Sequence, residues 1–486
     1  MARLSALAGV VLALVLGSGV SAAASEDYTA ACKQIEGVIS GASEVVYPIN
    51  AARYTSAQEH WFWSSSQQAA CVLDAGSAED VSRVLQLISR TRTPFAVISG
   101  GHSTNKGFSS TEGVHIRLKG LDQVVLAGDL KTVELGFGQR WTDVYSALQD
   151  SGVNVVGGRV PGPGVGGFSL GGGFSWKTNQ HGLTTDTIES FNVVLPNGTI
   201  TTASDEVNPD LFFALRGGLN RFGIVTSAVY RTHPQPAKVW GGLRGYTTEH
   251  IPALLNATNH FLQTNTDPRA QVITTLDSDA LGVTSLTLLF YDGPNEPTAF
   301  EAFDAIPSWF DTAAPKTYVE FVNSFPARVV QNVRGTFGSF STTTFTEGFL
   351  EAVKGELERL GKLSALHSGT MVSIELEPFM KYGQYDAGGA FPHTESLLPL
   401  NYYFAWTNPA EDDFWYDQLA QSIATVKKVA AAEGIYQEDF LEYNNYAIAT
   451  TPSEKLYGAE NLARLRAIRD VYDPERVMDL TGGFEI

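Results

Sequence analysis

The sequence predicts an α+β protein built in two unequal parts. Three observations lead there. Up to Pro236, short strands and one strand-turn-strand hairpin alternate with helical segments. From Val239 the texture changes to longer strands mixed with long helices, which favours an antiparallel sheet backed by helices. Three glycine clusters crowd the first part, and such loops cost conformational entropy that ordinary connections rarely repay unless something binds there.

The chain has 486 residues, the length of two average domains or one composite enzyme, and its 43% apolar content is ample for a core. A formal charge of -19 argues against nucleic acid or an anionic membrane as partner, since both need clustered Lys and Arg. At the N-terminus Arg3, an apolar run from Leu4 to Leu16 and small residues ending at Ala24 read as a cleaved signal peptide over 1–24. A retained anchor is the rival reading, but the run is too short to span a bilayer comfortably. Secretion is therefore expected. Cys32 and Cys71 are the only cysteines and lack Cys-x-x-Cys spacing, so in an oxidising compartment they are expected to form a disulfide. Asn197 and Asn256 begin N-glycosylation triplets.

The elements follow in order. Ser77 with Asp80 three residues on starts a helix in which Val81, Val84, Leu85 and Ile88 repeat at helical spacing. Pro94 ends it, and Phe95–Ile98 is a short apolar strand. Strands at Val114–Leu118 and Thr132–Gly138 precede a helix from Thr142 to Gln149. Phe191–Thr202, with Pro196-Asn197-Gly198 at its centre, is a hairpin, and Phe222–Thr232 is a strand. Pro234 and Pro236 close this region. Beyond it Ser285–Tyr291, Thr370–Glu377 and Leu400–Trp406 read as strands, while Leu419, Ile423, Val426 and Ala430 share one helix face. A tail from Ile435 is too short for a third domain and is expected to pack back.

Strand Phe95–Ile98 runs into Ser99-Gly100-Gly101-His102, a turn whose successive N–H groups can form a nest for phosphate oxygens. The second cluster runs from Gly157 to Gly173, and the third spans Arg216–Thr226. Taken singly, each reads as an ordinary connection. Gly162-x-Gly164-x-Gly166-Gly167 superficially resembles a dinucleotide fingerprint, but its spacing is wrong and no strand–turn–helix unit surrounds it.

Together with the tail Tyr443-x-Asn445-Tyr446, Tyr457-Gly458, Asn461, Leu465 and Asp473-Pro474, these motifs occur in the order seen in the vanillyl-alcohol-oxidase superfamily. The chain most resembles its berberine-bridge-enzyme-like oxidases. That resemblance implies a PCMH-type FAD-binding domain over 25–236, a substrate domain over 237–434, and a C-terminal segment over 435–486 that completes the FAD domain. It implies that Ser99, Gly100, Gly101, His102 and Ser103 cradle FAD, with a covalent bond from His102 to the flavin 8α carbon. Gly158, Val165, Gly166, Gly167, Gly171, Gly172, Gly223, Ile224, Asn445 and Tyr446 complete the implied cofactor contacts. Many members have a second flavin bond, from a cysteine where this chain has Val160, so a single link is expected. Thr104 replaces an aromatic residue common in the family, and Pro163 matches the position that gates oxygen.

The implied chemistry is hydride transfer to flavin N5 from an alcohol, sugar or secondary-metabolite donor, with O2 as acceptor and a base removing the hydroxyl proton. Tyr443 is the first candidate base, provided a neighbouring charge or the flavin lowers its pKa well below about 10. Asn401, the second catalytic candidate, shares a face of Leu400–Trp406 with Tyr403, and similar strands in the family line the pocket. Glu375 and Glu377 also share one face, where a solvated sheet surface is favoured over a paired acid/base role. Trp61-Phe62-Trp63 reads as packing. Rival functions are ligand binding without turnover and an oxidative cyclisation. The expected partners are a small-molecule substrate and O2, with the protein a monomer and no metal.

Overall fold

The computed structural model describes residues 26–326 and 331–486, so the expected signal peptide lies outside them. Strands β1 (Glu44–Val46), β2 (Cys71–Asp74), β3 (Phe95–Ile98) and β4 (Val114–Arg117) form one sheet in the order β1-β2-β4-β3, in which β2, β4 and β3 run parallel. The connection between β2 and β3 is helix Ala78–Thr91. Ser77 caps it, its Oγ accepting from Asp80 N–H at 3.2 Å. The Asp80 carboxylate does not close the capping box. It turns to the preceding loop, where it accepts from Ser40 N and the Ser40 and Ser43 hydroxyls.

Strands β5 (Val124–Leu126) and β6 (Thr132–Gly136) begin a second, antiparallel sheet, and β7 (Val153–Asn154) stands apart from it. The expected hairpin is β8 (Ile188–Val194) with β9 (Ile200–Ser204), and β10 (Ile224–Arg231) lies between β6 and β8. β11 (His233–Pro234) pairs with β7. Asn197 at the hairpin turn is exposed. The expected disulfide forms, tying helix Glu26–Glu36 to the start of β2 across a sequence separation of 39.

The third sheet has nine strands. It holds β12 (Val239–Tyr246), β13 (Ala270–Asp279), β14 (Gly282–Tyr291), β15 (Phe310–Asp311), β16 (Ala314–Lys316), β17 (Arg334–Gly338), β18 (Ser341–Thr342), β19 (Gly369–Leu376) and β20 (Leu398–Trp406). Every recorded pairing in it is antiparallel. Strand alternation divides its side chains. Leu276, Ile374, Leu376, Leu400, Tyr402 and Phe404 face one way and join a core with helices Glu347–Ser364 and Asp412–Ala432. Asp277, Ser373, Glu375, Asn401 and Tyr403 face the other way, toward the glycine clusters. The tail joins both halves: Leu456, Leu462, Leu465 and Phe484 belong to the first core, Tyr436, Phe440 and Tyr443 to the second. No helix among the described residues is long and apolar enough to cross a membrane.

Candidate active site

The Ser99–His102 turn is built to receive a ligand. Gly101 sits at φ 70°, and a Cβ on Gly100 would lie 2.1 Å from Gly164 N, so only glycine lets the first two clusters meet this closely. Ser99 Oγ ties them, donating to Phe137 O at 2.6 Å and accepting from Gly166 N at 3.1 Å. None of the backbone N–H groups of Gly100, Gly101, His102 and Ser103 finds an acceptor among the described residues. Four consecutive unpaired donors on a tight turn make an anion cradle of the kind a pyrophosphate fills.

His102 projects from this cradle. Its ring stacks on Trp61 with centroids 4.3 Å apart. Nε2 is buried without a partner, and a Cβ on Gly162 would lie 2.5 Å from it, so Gly162, at φ 118°, holds the ring from behind. Burial, with Arg140 nearby, pushes the imidazole pKa down to about 3, so the ring is neutral. Helix Val165–Leu170 carries Val165, Gly166 and Gly167 past Ser99 and leads to Gly171, Gly172 and Gly173, the last two at positive φ. A Cβ on Gly171 would lie 2.2 Å from Asn445 Oδ1, which places the tail directly on this turn. Gly158 packs on Trp141.

The third cluster seats other parts of the chain. Gly217, at φ 107°, makes room for Phe391, and its carbonyl accepts from Asn444 Nδ2 at 2.6 Å. Asn220 and Arg221 bond the carbonyls of Gly482, Met478 and Thr481. Gly223 directly precedes β10, which Ile224 begins, and a Cβ on Gly223 would lie 2.5 Å from Val194 O. Much of this glycine pattern seats the tail.

The polar sheet face closes the other side. Glu375 accepts from Asn401 Nδ2 at 3.0 Å, while Asn401 Oδ1 is buried without a partner. Asp277 stands diagonally across from Glu375, because Thr275 pairs with Glu375 and Asp277 with Ser373. Burial, then the charge of Glu377, raises Glu375 to about 7, against the opposing pull of Asn401 and Arg159. Burial, then Glu375, raises Asp277 to about 8. Tyr403 OH accepts from Trp61 Nε1 at 2.7 Å, and Thr104 Oγ1 accepts from Phe337 N at 3.3 Å. Phe337 is opposite Tyr403 on β17.

One expectation changes here. Glu375 and Glu377 do not lie on a solvated face. Glu377 is fully buried and takes a two-pronged bond from Arg159, Nη1 to Oε2 at 2.7 Å and Nη2 to Oε1 at 2.9 Å. Tyr446 OH joins them, accepting from Arg159 Nη2 at 2.5 Å and donating to Glu377 Oε1 at 3.1 Å. An acid this deep is tolerable only because the guanidinium matches it. Tyr443 lies at the second glycine cluster. Its hydroxyl accepts from Gly173 N at 3.0 Å and Asn445 Nδ2 at 2.9 Å, and burial pushes its pKa up to about 12, against the opposing pull of Asn445 and Arg159. In the protein alone it braces the Gly171–Gly173 turn. Trp61 and Phe62 are buried as expected, but Trp63 is 59% exposed. Sequence reasoning missed Arg159, Asp277 and the pairing of Trp61 with His102. Only the position of Arg159, directly after Gly157-Gly158, offered a signal.

A turn with four free N–H groups, a histidine beside it and a wall of buried acids are features that a flavin oxidoreductase could use. The FAD binding domain family matches residues 69–204. An uncharacterized FAD-linked oxidoreductase of Arthroderma benhamiae is 37% identical over 468 residues, covering 90% of this chain and 91% of that one. A protein of Penicillium terrestre described as FAD-dependent monooxygenase macF is 41% identical, covering 86% and 82%. Among solved structures, BBE-like 1 of Physcomitrella patens superposes with a TM-score of 0.77 at 20% identity, covering 92% of this chain and 97% of that one. The chain belongs to the FAD-linked oxidoreductases, its fold matches that of BBE-like 1, and FAD is its cofactor.

Proposed function

We propose that the protein oxidises the CH–OH group of a small neutral donor, with Glu375 accepting the hydroxyl proton. Flavin supplies the two-electron acceptor for the hydride. The observation that carries this reading is the position of Glu375. It shares a sheet face with Tyr403, whose hydroxyl bonds the Trp61 ring stacked on His102, is held by Asn401, and is poised near pH 7, where a general base works best. Asp277, still protonated when Glu375 ionises, keeps that wall from carrying two charges and can donate to a substrate oxygen. Tyr403, Phe337 and Tyr446 supply aromatic surface beside it.

His102 is the proposed single point of covalent attachment. Nδ1 is the nitrogen left to bond, since Nε2 is enclosed against Gly162. We further propose O2 as the acceptor, secretion, and glycosylation at Asn197 and Asn256, both of which are exposed. The disulfide suits an oxidising compartment.

The test is anaerobic mixing with a panel of aromatic and sugar alcohols. A donor is expected to bleach the flavin absorbance, and readmitted O2 to yield one H2O2 per donor oxidised. No bleaching with any donor argues for binding without turnover. O2 consumption with oxygen incorporated in the product and little H2O2 argues for the monooxygenase chemistry named for the Penicillium relative.

A further inference from the structure

We propose that Trp61 is a positioning residue for covalent flavin attachment: its indole holds the His102 imidazole and ties that ring to Tyr403 on the substrate wall. The inference rests on the reading of His102 as the attachment point.

Trp61 is fixed at three places. Its backbone N–H donates to Gly101 O at 2.8 Å, which locks it to the cradle itself. Its ring lies over His102 at 4.3 Å with planes 30° apart. Its Nε1 donates to Tyr403 OH at 2.7 Å, a bond between residues 342 apart in sequence. Trp61 and Tyr403 are both buried, at 7% and 8% exposure. A Cβ on Gly162 would also lie 2.9 Å from Trp61 Cζ3, so Gly162 pins both rings at once. His102 itself has no hydrogen-bonded partner to orient it: Nε2 is orphaned, and packing alone sets the angle of the ring.

Attachment needs that angle. The bond forms between Nδ1 and the 8α carbon, replacing one methyl C–H and the imidazole N–H. The two electrons released pass to the flavin and then to O2, which leaves as H2O2 with the two hydrogens. The attacking ring must be neutral, which its burial ensures, and aimed at the carbon. Misplacement by about 1 Å costs such a step on the order of a hundredfold in rate. Because Trp61 takes part of its orientation from Tyr403, the substrate sheet helps set the angle of His102.

The test measures, in purified holoprotein, total FAD and the fraction that survives acid precipitation. Trp61→Leu is expected to bind FAD at the wild-type stoichiometry while its acid-stable fraction falls about tenfold, for the orientational reason given. Trp61→Phe keeps a flat ring over His102 and should recover most of that loss. Tyr403→Phe removes one hydroxyl and should give an intermediate fall. If Trp61→Leu does not accumulate, Tyr403→Phe decides. Wild-type acid stability in Trp61→Leu, or in Tyr403→Phe where that variant decides, overturns the role of Trp61 alone. A wild-type protein that releases all its flavin to acid overturns the covalent reading and this proposal with it.

Discussion

Glu375→Gln is expected to lower turnover by about 10²–10⁴-fold, the range a positioned general base supplies, while leaving flavin content and donor binding in place. The substitution keeps the shape of the side chain and an oxygen to accept from Asn401 Nδ2. It removes only the ability to take a proton. Steady-state kinetics and flavin absorbance check this together. The wild-type kcat/KM should rise with pH through a limb near 7, because the carboxyl must ionise to act and burial raises it to about 7. That limb should vanish in the variant. Tyr443→Phe, by contrast, should retain the limb, since the Tyr443 hydroxyl stays protonated well above that pH.

The same shift has a consequence for stability, of opposite sign to the usual carboxylate. The folded-state pKa of Glu375 lies above its unfolded value of about 4.3. Its contribution is therefore fully present below about pH 4.3 and is lost as pH rises through about 7. Asp277 behaves in the same way through about 8. The acid wall thus works at a pH where it weakens the fold, and Glu375→Gln should be more resistant to urea than wild type at pH 8 while being far less active. The depressed histidines act from the other side. His102 and His115, both held near 3 chiefly by burial, cost stability as pH falls below about 6.5, because the unfolded chain then binds protons the folded one refuses.

Asp292→Ala is expected to destabilise the protein by roughly 3–5 kcal/mol, the cost of stranding a buried partner charge. Asp292 Oδ2 accepts from Lys177 Nζ at 2.5 Å, and both side chains are almost wholly buried. Gln180 and Gln235 donate to the same carboxylate at 3.1 and 3.2 Å. Lys177 follows the second glycine cluster, and Asp292 follows β14 of the nine-stranded sheet, so the pair clamps the cofactor side of the molecule to the substrate side. Without the carboxylate, Lys177 must bury an unpaired ammonium or shed its proton, toward which burial already pushes it. Replacing both partners with apolar residues, Lys177→Met with Asp292→Leu, should recover most of the loss. Urea denaturation of the two single variants and the double variant checks this.

Local features were legible in the sequence because their causes are local. A turn of two glycines after an apolar strand announces close backbone approach, and the unpaired N–H groups of Gly100 to Ser103 are its direct result. Ser77, the Asn197-Gly198 turn and the lone cysteine pair were equally readable, each requiring only neighbours or a single partner. Arg159, Glu377 and Tyr446 were not. They meet across separations of 218 and 287 residues, and strand alternation says only that Glu375 and Glu377 share a face, not that an arginine covers it. Tyr443 shows the same limit in its chemistry. Its motif marked it as a site residue, but whether its hydroxyl titrates depends on burial, which the fold decides. The third glycine cluster was legible only as close approach, because glycine does not say of what: in the fold, Phe391 and the C-terminal tail come close to it.

The central claim is that the Ser99–His102 turn anchors the flavin through one bond. Proteolysis of the acid-denatured holoprotein, followed by mass analysis of the peptide carrying His102, tests it most directly. The expected result is one FAD on His102 and none elsewhere, with His102→Ala still binding FAD but releasing it to acid. An unmodified His102 peptide, with the flavin free in the acid supernatant or attached at another residue, would contradict the account.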